Sequence, residues 1–341
     1  MWRKRVIEKH NKVSVIGTTS WGITLACLIA SKNIPVNIWA RTESEAQIIQ
    51  NDREDKKHLP GIMFPNSITI DHDLGSVLEN SKYILLAVPS HTFRNNMINL
   101  SNYINDSHVI VSATKGIETE TNKRMSEIAS EYISNDQNTT FSVLSGPNLA
   151  KEIANGLPAS SVIASLSDKT AQDIQNLLTT KTFRVYRSSD VTGVELCGSL
   201  KNIIAIAAGI VDGLNFGNNA KSALVTRGLA EIKRFAMAHN AQETTFYGLA
   251  GIGDLMTTIS SSYSRNRYVG EQLATGNNIN SITKNMTNVA EGINTTQAIY
   301  SISQSKNIEM PITSMVHRII FENLTPMAAF SELMERELTA E

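Results

Sequence analysis

The sequence predicts an α/β chain in two parts: a parallel sheet covered by helices, then helices alone. Three observations carry this expectation. Short apolar runs alternate with stretches of helical periodicity through the first half. A turn bearing Gly17 and Gly22 follows the first apolar run. From Asp190 onward the pattern is almost purely helical. A length of 341 residues also exceeds what one hydrophobic core usually serves, so two domains are expected.

Taken in order, "KVSVIG" reads as a strand, Trp21 to Lys32 as a helix, "PVNIWA" as a strand and Glu43 to Asn51 as a helix. A polar loop containing "HLPG" comes next. The alternation resumes with "YILLAV", a helix over Thr92 to Ser101, "HVIVSA", a helix over Thr121 to Ile133, and "TFSVLS". The runs "SSVIAS" and "FRVYR" close the strand-rich half. Strands interleaved with helices predict a parallel sheet with both faces covered. The fold class is therefore α/β, with a Rossmann-like dinucleotide-binding domain over residues 1–189 and an all-α domain over 190–341.

Charged residues make up 18% of the chain, below the roughly 25% of ordinary globular chains, which predicts a large buried core. A formal net charge of -1 gives no general attraction to nucleic acid or anionic membrane. Cys27 and Cys197 lie in apolar helical contexts and imply no disulfide framework. The seven histidines lack metal-ligand spacing, so no metal is assigned. The basic "MWRKRVIEKHNK" has no apolar region after it, and no segment is read as long enough to cross a membrane. A cytoplasmic protein is expected.

The turn "VIGTTSWG" departs from the dinucleotide fingerprint in its middle position. Gly17 and Gly22 supply the tight bend and the close helix–strand packing, while Thr19 stands where backbone should approach the pyrophosphate. The threonine hydroxyl can donate a hydrogen bond there if its backbone torsions are ordinary. At the end of the second strand, Ala40 and Arg41 stand where an acid often binds the ribose. Arg41 suits a 2′-phosphate, or is a solvated surface residue.

Lys201 lies on a helix that is apolar around most of its circumference, on a face shared with Gly198, Asn202, Ala205, Ala208 and Gly209. That bare face leaves the lysine to be covered by another segment or a ligand, and burial would lower its pKa. Snorkelling to solvent is the other reading. Lys115 follows "HVIVSA", at the carboxyl end of a strand where ligands gather, or is an ordinary loop lysine. Asp254 could pair with Lys201 or cap a helix, and Thr258 lies one turn on. In "SRNR", Arg265 presents a fork suited to phosphate, with Ser264 and Asn266 as neutral donors beside it, although a short basic turn is usually just solvated surface. Gly146 permits close backbone approach, and Pro147 is read as opening the next helix.

The segments "SWG", "ATKGIE", "SGPNLAKEIANGLP", "GVELCGSLKNIIAIAAGIVDGL", "GLAGIGDL", "SRNR" and "AEGINTTQAI" occur in an order that resembles the bacterial NAD(P)-dependent glycerol-3-phosphate dehydrogenases. The resemblance covers nearly the whole chain. It implies reversible hydride transfer between NAD or NADP and dihydroxyacetone phosphate, giving sn-glycerol 3-phosphate for glycerophospholipid synthesis. It implies Lys201 as the proton-transferring residue. It also implies a substrate set of Lys115, Gly146, Asn148, Lys201, Asp254, Thr258, Ser264, Arg265 and Asn266, with Asn148 where the family commonly has Ser or Thr. The implied cofactor set is Gly17, Thr19, Ser20, Trp21, Gly22, Arg41, His58, Lys115, Ala150, Arg265, Val289 and Glu291. A homodimer is expected from the family, with no nucleic acid partner and no membrane insertion.

Overall fold

The computed structural model describes residues 12–133, 140–286 and 289–338, so most of the basic N-terminal run lies outside the described residues. The strands are β1 (Lys12–Ile16), β2 (Val36–Trp39), β3 (Ile68–Asp71), β4 (Ser81–Leu86), β5 (Val109–Ser112), β6 (Thr140–Ser145), β7 (Ala159–Ser165) and β8 (Phe183–Ser188). Between them run the helices α1 (Ser20–Ala30), α2 (Glu43–Asp52), α3 (Leu74–Leu78), α4 (Ser90–Ser101), α5 (Met125–Ser130), α6 (Ala150–Ala154) and α7 (Asp168–Leu178). Then come α8 (Val191–Gly213), α9 (Gly217–Met237), α10 (Asp254–Ser260), α11 (Arg265–Ala274), α12 (Ile279–Lys284), α13 (Glu291–Ser305), α14 (Pro311–Phe321) and α15 (Pro326–Met334).

The eight strands form one sheet in the order β3-β2-β1-β4-β5-β6-β7-β8. Its two faces are sealed by separate apolar clusters, one including Val13, Val15, Ile29 and Ile38, the other Ile84, Leu86, Phe93 and Ile110. The chain leaves β1 in one direction through β2 and β3, then returns to place β4 on its other side. That reversal opens a crevice at the carboxyl ends of β1 and β4, where such sheets bind ligands.

The expectation of a parallel sheet fails at one pair, because β6 and β7 are antiparallel. The helix between them, α6, has only five residues, about 7.5 Å of rise, and cannot carry the chain back along β6. The helix expected over Thr121 to Ile133 is likewise shorter. Asn122 takes a left-handed φ of 59° and Ile117 bridges Arg124, so helical geometry begins only at Met125.

In the second half α8 is the hub, with every residue from Gly193 to Ile210 buried. Asp190 caps it, accepting from the Gly193 N–H at 2.8 Å. Its length and apolarity do suffice to cross a membrane, contrary to the sequence reading, but it is buried among other helices. The bare face around Gly209 is filled by α11. A Cβ at Gly209 would stand 2.0 Å from the Arg267 carbonyl oxygen, and one at Gly270 2.0 Å from that of Ile206. Two glycines thus let the backbones touch.

Candidate active site

At its N-terminal half, α8 meets the carboxyl ends of the strands, and there the sequence-predicted lysines converge. Lys201 is buried, with 7% of its surface exposed. Its Nζ donates to Asp254 Oδ1 and, at 2.6 Å, to Thr258 Oγ1. The Thr258 hydroxyl passes its own hydrogen to the Asp254 carbonyl at 2.7 Å. The other carboxylate oxygen of Asp254 accepts from Lys115 Nζ at 2.5 Å. Asp254 therefore bridges both lysines and makes no side-chain cap for α10. Burial lowers the Lys201 pKa to about 7, Asp254 opposing the fall and Lys115 adding to it.

Each ammonium carries three donors. Two on Lys201 are engaged as described. On Lys115 the second partner is the Gly146 carbonyl at 3.2 Å. One N–H on each lysine remains without a partner among the described residues, and both belong to groups held by the same carboxylate. A positive pair of this kind can receive charge developing on an oxygen.

Backbone geometry positions Lys115. Gly116 has φ +152°, and a Cβ there would stand 2.5 Å from Ser90 Cβ. Its N–H donates to Ser199 Oγ on α8 at 3.0 Å. Behind this loop, Glu291 at the start of α13 accepts from the Ser90 N–H at 3.0 Å and from the Ser90 hydroxyl. Burial raises the Glu291 pKa, and the Ser90 bonds oppose that rise. Gly146, with φ +146°, brings its carbonyl to Lys115 where a side chain would press on Ser161 Cα. Sequence reasoning passed over Ser90, Gly116 and Ser199. Ser90 could have been noticed from its place after β4, at the same sheet edge as Lys115.

The "SRNR" turn lies beside Lys201 through Asn266, whose Nδ2 donates to Asn202 Oδ1 at 2.9 Å and whose Oδ1 accepts from the Gly292 N–H at 2.9 Å. Asn266 is thus a brace between α8 and α13, with one amide N–H to spare. Ser264 caps α11, accepting from the Arg267 N–H at 3.3 Å. Arg265 has no carboxylate at ion-pair distance among the described residues, whereas Arg267 is tied to Asp212 at 2.9 Å and Glu271 at 3.0 Å. Arg265 is exposed, and its guanidinium has no ion pair among the described residues.

At the glycine turn, Gly17 has φ +111°, and a Cβ at Gly22 would fall 2.4 Å from the Gly17 carbonyl oxygen. Both glycines are required by the bend. Thr19 is not strained, with φ −79° and ψ 159°. Its hydroxyl accepts from the Gly22 N–H at 3.1 Å and donates to the Ala87 carbonyl at 2.6 Å, so it is engaged within the protein and not free to donate to an anion. The N–H groups of Ser20 and Trp21, first on α1, keep no acceptor among the described residues. They fit a diphosphate. Thr19→Gly is expected to lower the melting temperature and to change dinucleotide affinity, since cap and strand contact are lost together. An unchanged dissociation constant would show that this position does not shape the phosphate site.

Ser20 Oγ donates to the His58 carbonyl at 2.6 Å, and His58 Nδ1 lies 2.8 Å from Asp55 Oδ2. Trp21 packs edge-on to Phe183 with ring centroids 6.3 Å apart. The Ala150 carbonyl accepts from Thr24 Oγ1 at 3.2 Å, and Val289 is exposed. Asn148 turns its amide onto β7, donating to the Ser160 carbonyl at 3.0 Å and accepting from Ser161 Oγ at 2.9 Å. Pro147 does not open the next helix, which starts at Ala150 after a Leu149 cap residue. Gly146, at φ +146°, takes the chain into a loop first.

Family models match the chain in two blocks. Residues 12–171 match the NAD-dependent glycerol-3-phosphate dehydrogenase N-terminus, and residues 190–331 the corresponding C-terminus. A glycerol-3-phosphate dehydrogenase [NAD(P)+] of Dehalococcoides mccartyi is 46% identical over 332 residues, 97% of this chain and 92% of that protein. One from Chlorobium phaeobacteroides is 41% identical over 326 residues, covering 96% and 98%. The crystal structure of glycerol-3-phosphate dehydrogenase from Coxiella burnetii superposes with a TM-score of 0.91 at 36% identity, covering 96% of this chain and 99% of that one.

Proposed function

Because the chain belongs to the NAD-dependent glycerol-3-phosphate dehydrogenases, we propose that the cleft between α8 and the strand ends is their catalytic site, with Lys201 moving the proton. The protein is an NAD(P)-dependent glycerol-3-phosphate dehydrogenase with a Rossmann-like cofactor domain. When bound, the nicotinamide supplies or accepts the hydride at the central carbon of the substrate.

The chain's own residues do the rest. In reduction, negative charge builds on the carbonyl oxygen of dihydroxyacetone phosphate, and Lys201 Nζ delivers a proton to it, giving the secondary alcohol of sn-glycerol 3-phosphate. In oxidation the neutral amine takes that proton back. Asp254 holds Lys201 in register and Thr258 fixes its second donor. Lys115 adds a second cation beside the oxygen. Arg265, with Ser264 and the spare N–H of Asn266, holds the phosphate, and Gly146 and Asn148 shape the opposite wall. The turn of Gly17 through Gly22, with Ser20 and Trp21 as donors, takes the diphosphate. Arg41, His58, Ala150, Val289 and Glu291 line the rest of the cofactor groove. The observation that carries this reading is the single buried carboxylate linking two lysines, each with one donor left over.

The same reading includes a division of the chain at residues 189 and 190, a homodimer, a cytoplasmic location and a product destined for glycerophospholipid synthesis. The test is the loss of nicotinamide absorbance when purified protein meets dihydroxyacetone phosphate with NADH or NADPH. Absence of decay with both cofactors would reject the reading. Arg265→Ala is expected to raise the KM for dihydroxyacetone phosphate about 10- to 100-fold with a smaller change in kcat, the loss of a charge-assisted bond to phosphate. An unchanged KM would remove Arg265 from the phosphate site.

A further inference from the structure

We propose that Glu45 sets the cofactor preference of this enzyme, accepting from the 2′-hydroxyl of the adenosine ribose and excluding a 2′-phosphate. The inference rests on the cofactor reading above. Glu45 lies in the first turn of α2, whose cap is Thr42. Its carboxylate is held at two points. Oε1 accepts from Thr18 Oγ1 at 2.6 Å, and Oε2 accepts from the Arg41 N–H at 3.2 Å. Thr18 sits inside the phosphate turn, between Gly17 and Thr19, and Arg41 follows the end of β2. One carboxylate therefore spans the phosphate turn and the tip of the second strand.

This is where a dinucleotide fold discriminates its two cofactors. An acid beyond the second strand binds the free ribose hydroxyl, and an arginine accommodates the added phosphate. By sequence the strand tip offers Ala40 and Arg41, with Glu43 slightly beyond, and Arg41 reads equally as a 2′-phosphate ligand or a solvated residue. The acid arrives instead from the helix after it, and only the fold brings it back to the turn. A carboxylate accepts up to about four hydrogen bonds, so the two made to Thr18 and Arg41 leave lone pairs for a ribose hydroxyl.

Two opposed charges stand at this position, and their mobility decides between them. Glu45 is half-buried and anchored at both oxygens. The Arg41 side chain is exposed and has no partner among the described residues, so it must lose conformational freedom to grip a phosphate. A 2′-phosphate of about −1.5 to −2 charge would instead meet the fixed carboxylate at contact distance. The balance favours NADH.

The test is equilibrium titration of the whole protein with NADH and, separately, NADPH, followed by quenching of tryptophan fluorescence, with kcat/KM for each measured alongside. The wild-type protein is expected to bind NADH about tenfold or more tighter than NADPH, the worth of one charge-assisted hydrogen bond. Glu45→Gln, which keeps the size of the side chain, is expected to shrink that ratio about tenfold, chiefly by tightening NADPH. Thr18→Val should move it the same way by less, since it removes one anchor and not the charge. Wild-type preference for NADPH, or an unchanged ratio in Glu45→Gln, would overturn the inference while leaving the cofactor reading intact. Failure of both dinucleotides to bind would overturn the cofactor reading and this inference with it.

Discussion

Lys201→Ala is expected to lower kcat for dihydroxyacetone phosphate reduction about 10²- to 10⁴-fold, the range associated with a positioned acid, while KM changes little. The physical basis is that Lys201 Nζ is the buried donor whose remaining N–H faces no partner, and no other group among the described residues is bonded to both Asp254 and Thr258 there. Its depressed pKa, about 7, gives the reaction a pH signature. Reduction needs the ammonium, so kcat/KM should fall as pH rises through about 7. Oxidation of sn-glycerol 3-phosphate needs the neutral amine and should rise over the same interval. Both limbs should vanish in Lys201→Ala. Lys201→Arg should not restore them, because a guanidinium does not release its proton near neutrality. Steady-state kinetics in both directions across pH 5–9 is the measurement, and a variant that keeps wild-type turnover would remove Lys201 from the chemistry.

Asp254→Asn is expected to have the second largest effect, through two lysines at once. The carboxylate is almost fully buried, and its removal leaves two ammonium groups facing each other without an anion. Lys201 then loses the one strong influence that holds its pKa up, while burial and Lys115 still push it down. At neutral pH less of it is ammonium. The expected result is a fall in kcat/KM for reduction of about 10²-fold and a shift of the pH profile to lower pH. Lost stability of up to about 3–5 kcal/mol is the bound set by breaking a buried ion pair, reduced to the extent that Lys201 discharges. A merely structural aspartate would lower the melting temperature and leave the profile of the surviving activity where it was. That outcome would deny Asp254 its positioning role.

Local pattern was enough for the alternation of strands and helices, for the change to pure helix at Asp190 and for the glycine bend at Gly17. Each depends on residues within a few positions of one another, where torsional preference and the period of apolar side chains act. Short elements escaped for the same reason. Neither β3, four residues long, nor α3, five residues long, holds enough repeats of its period to stand out from the loop around it.

Residue types and motif order, read from the chain, also named the lysines, the arginine fork and Asp254, and the resemblance to a dehydrogenase family assigned their chemistry. What these side chains do to one another was decided in three dimensions. Lys201 and Asp254 are 53 positions apart, Lys115 and Asp254 139, Ser90 and Glu291 201. No periodicity spans such distances. Thr19 stands where backbone should approach the pyrophosphate, yet its hydroxyl caps α1 and bonds to Ala87, and of the two covers open to the bare face of α8, another segment or a ligand, it is α11 that lies against Gly209. The direction of a loop side chain and the identity of a helix's neighbour depend on how the finished elements pack. A hydrogen bond worth about 1 kcal/mol forms only once packing has brought its ends together.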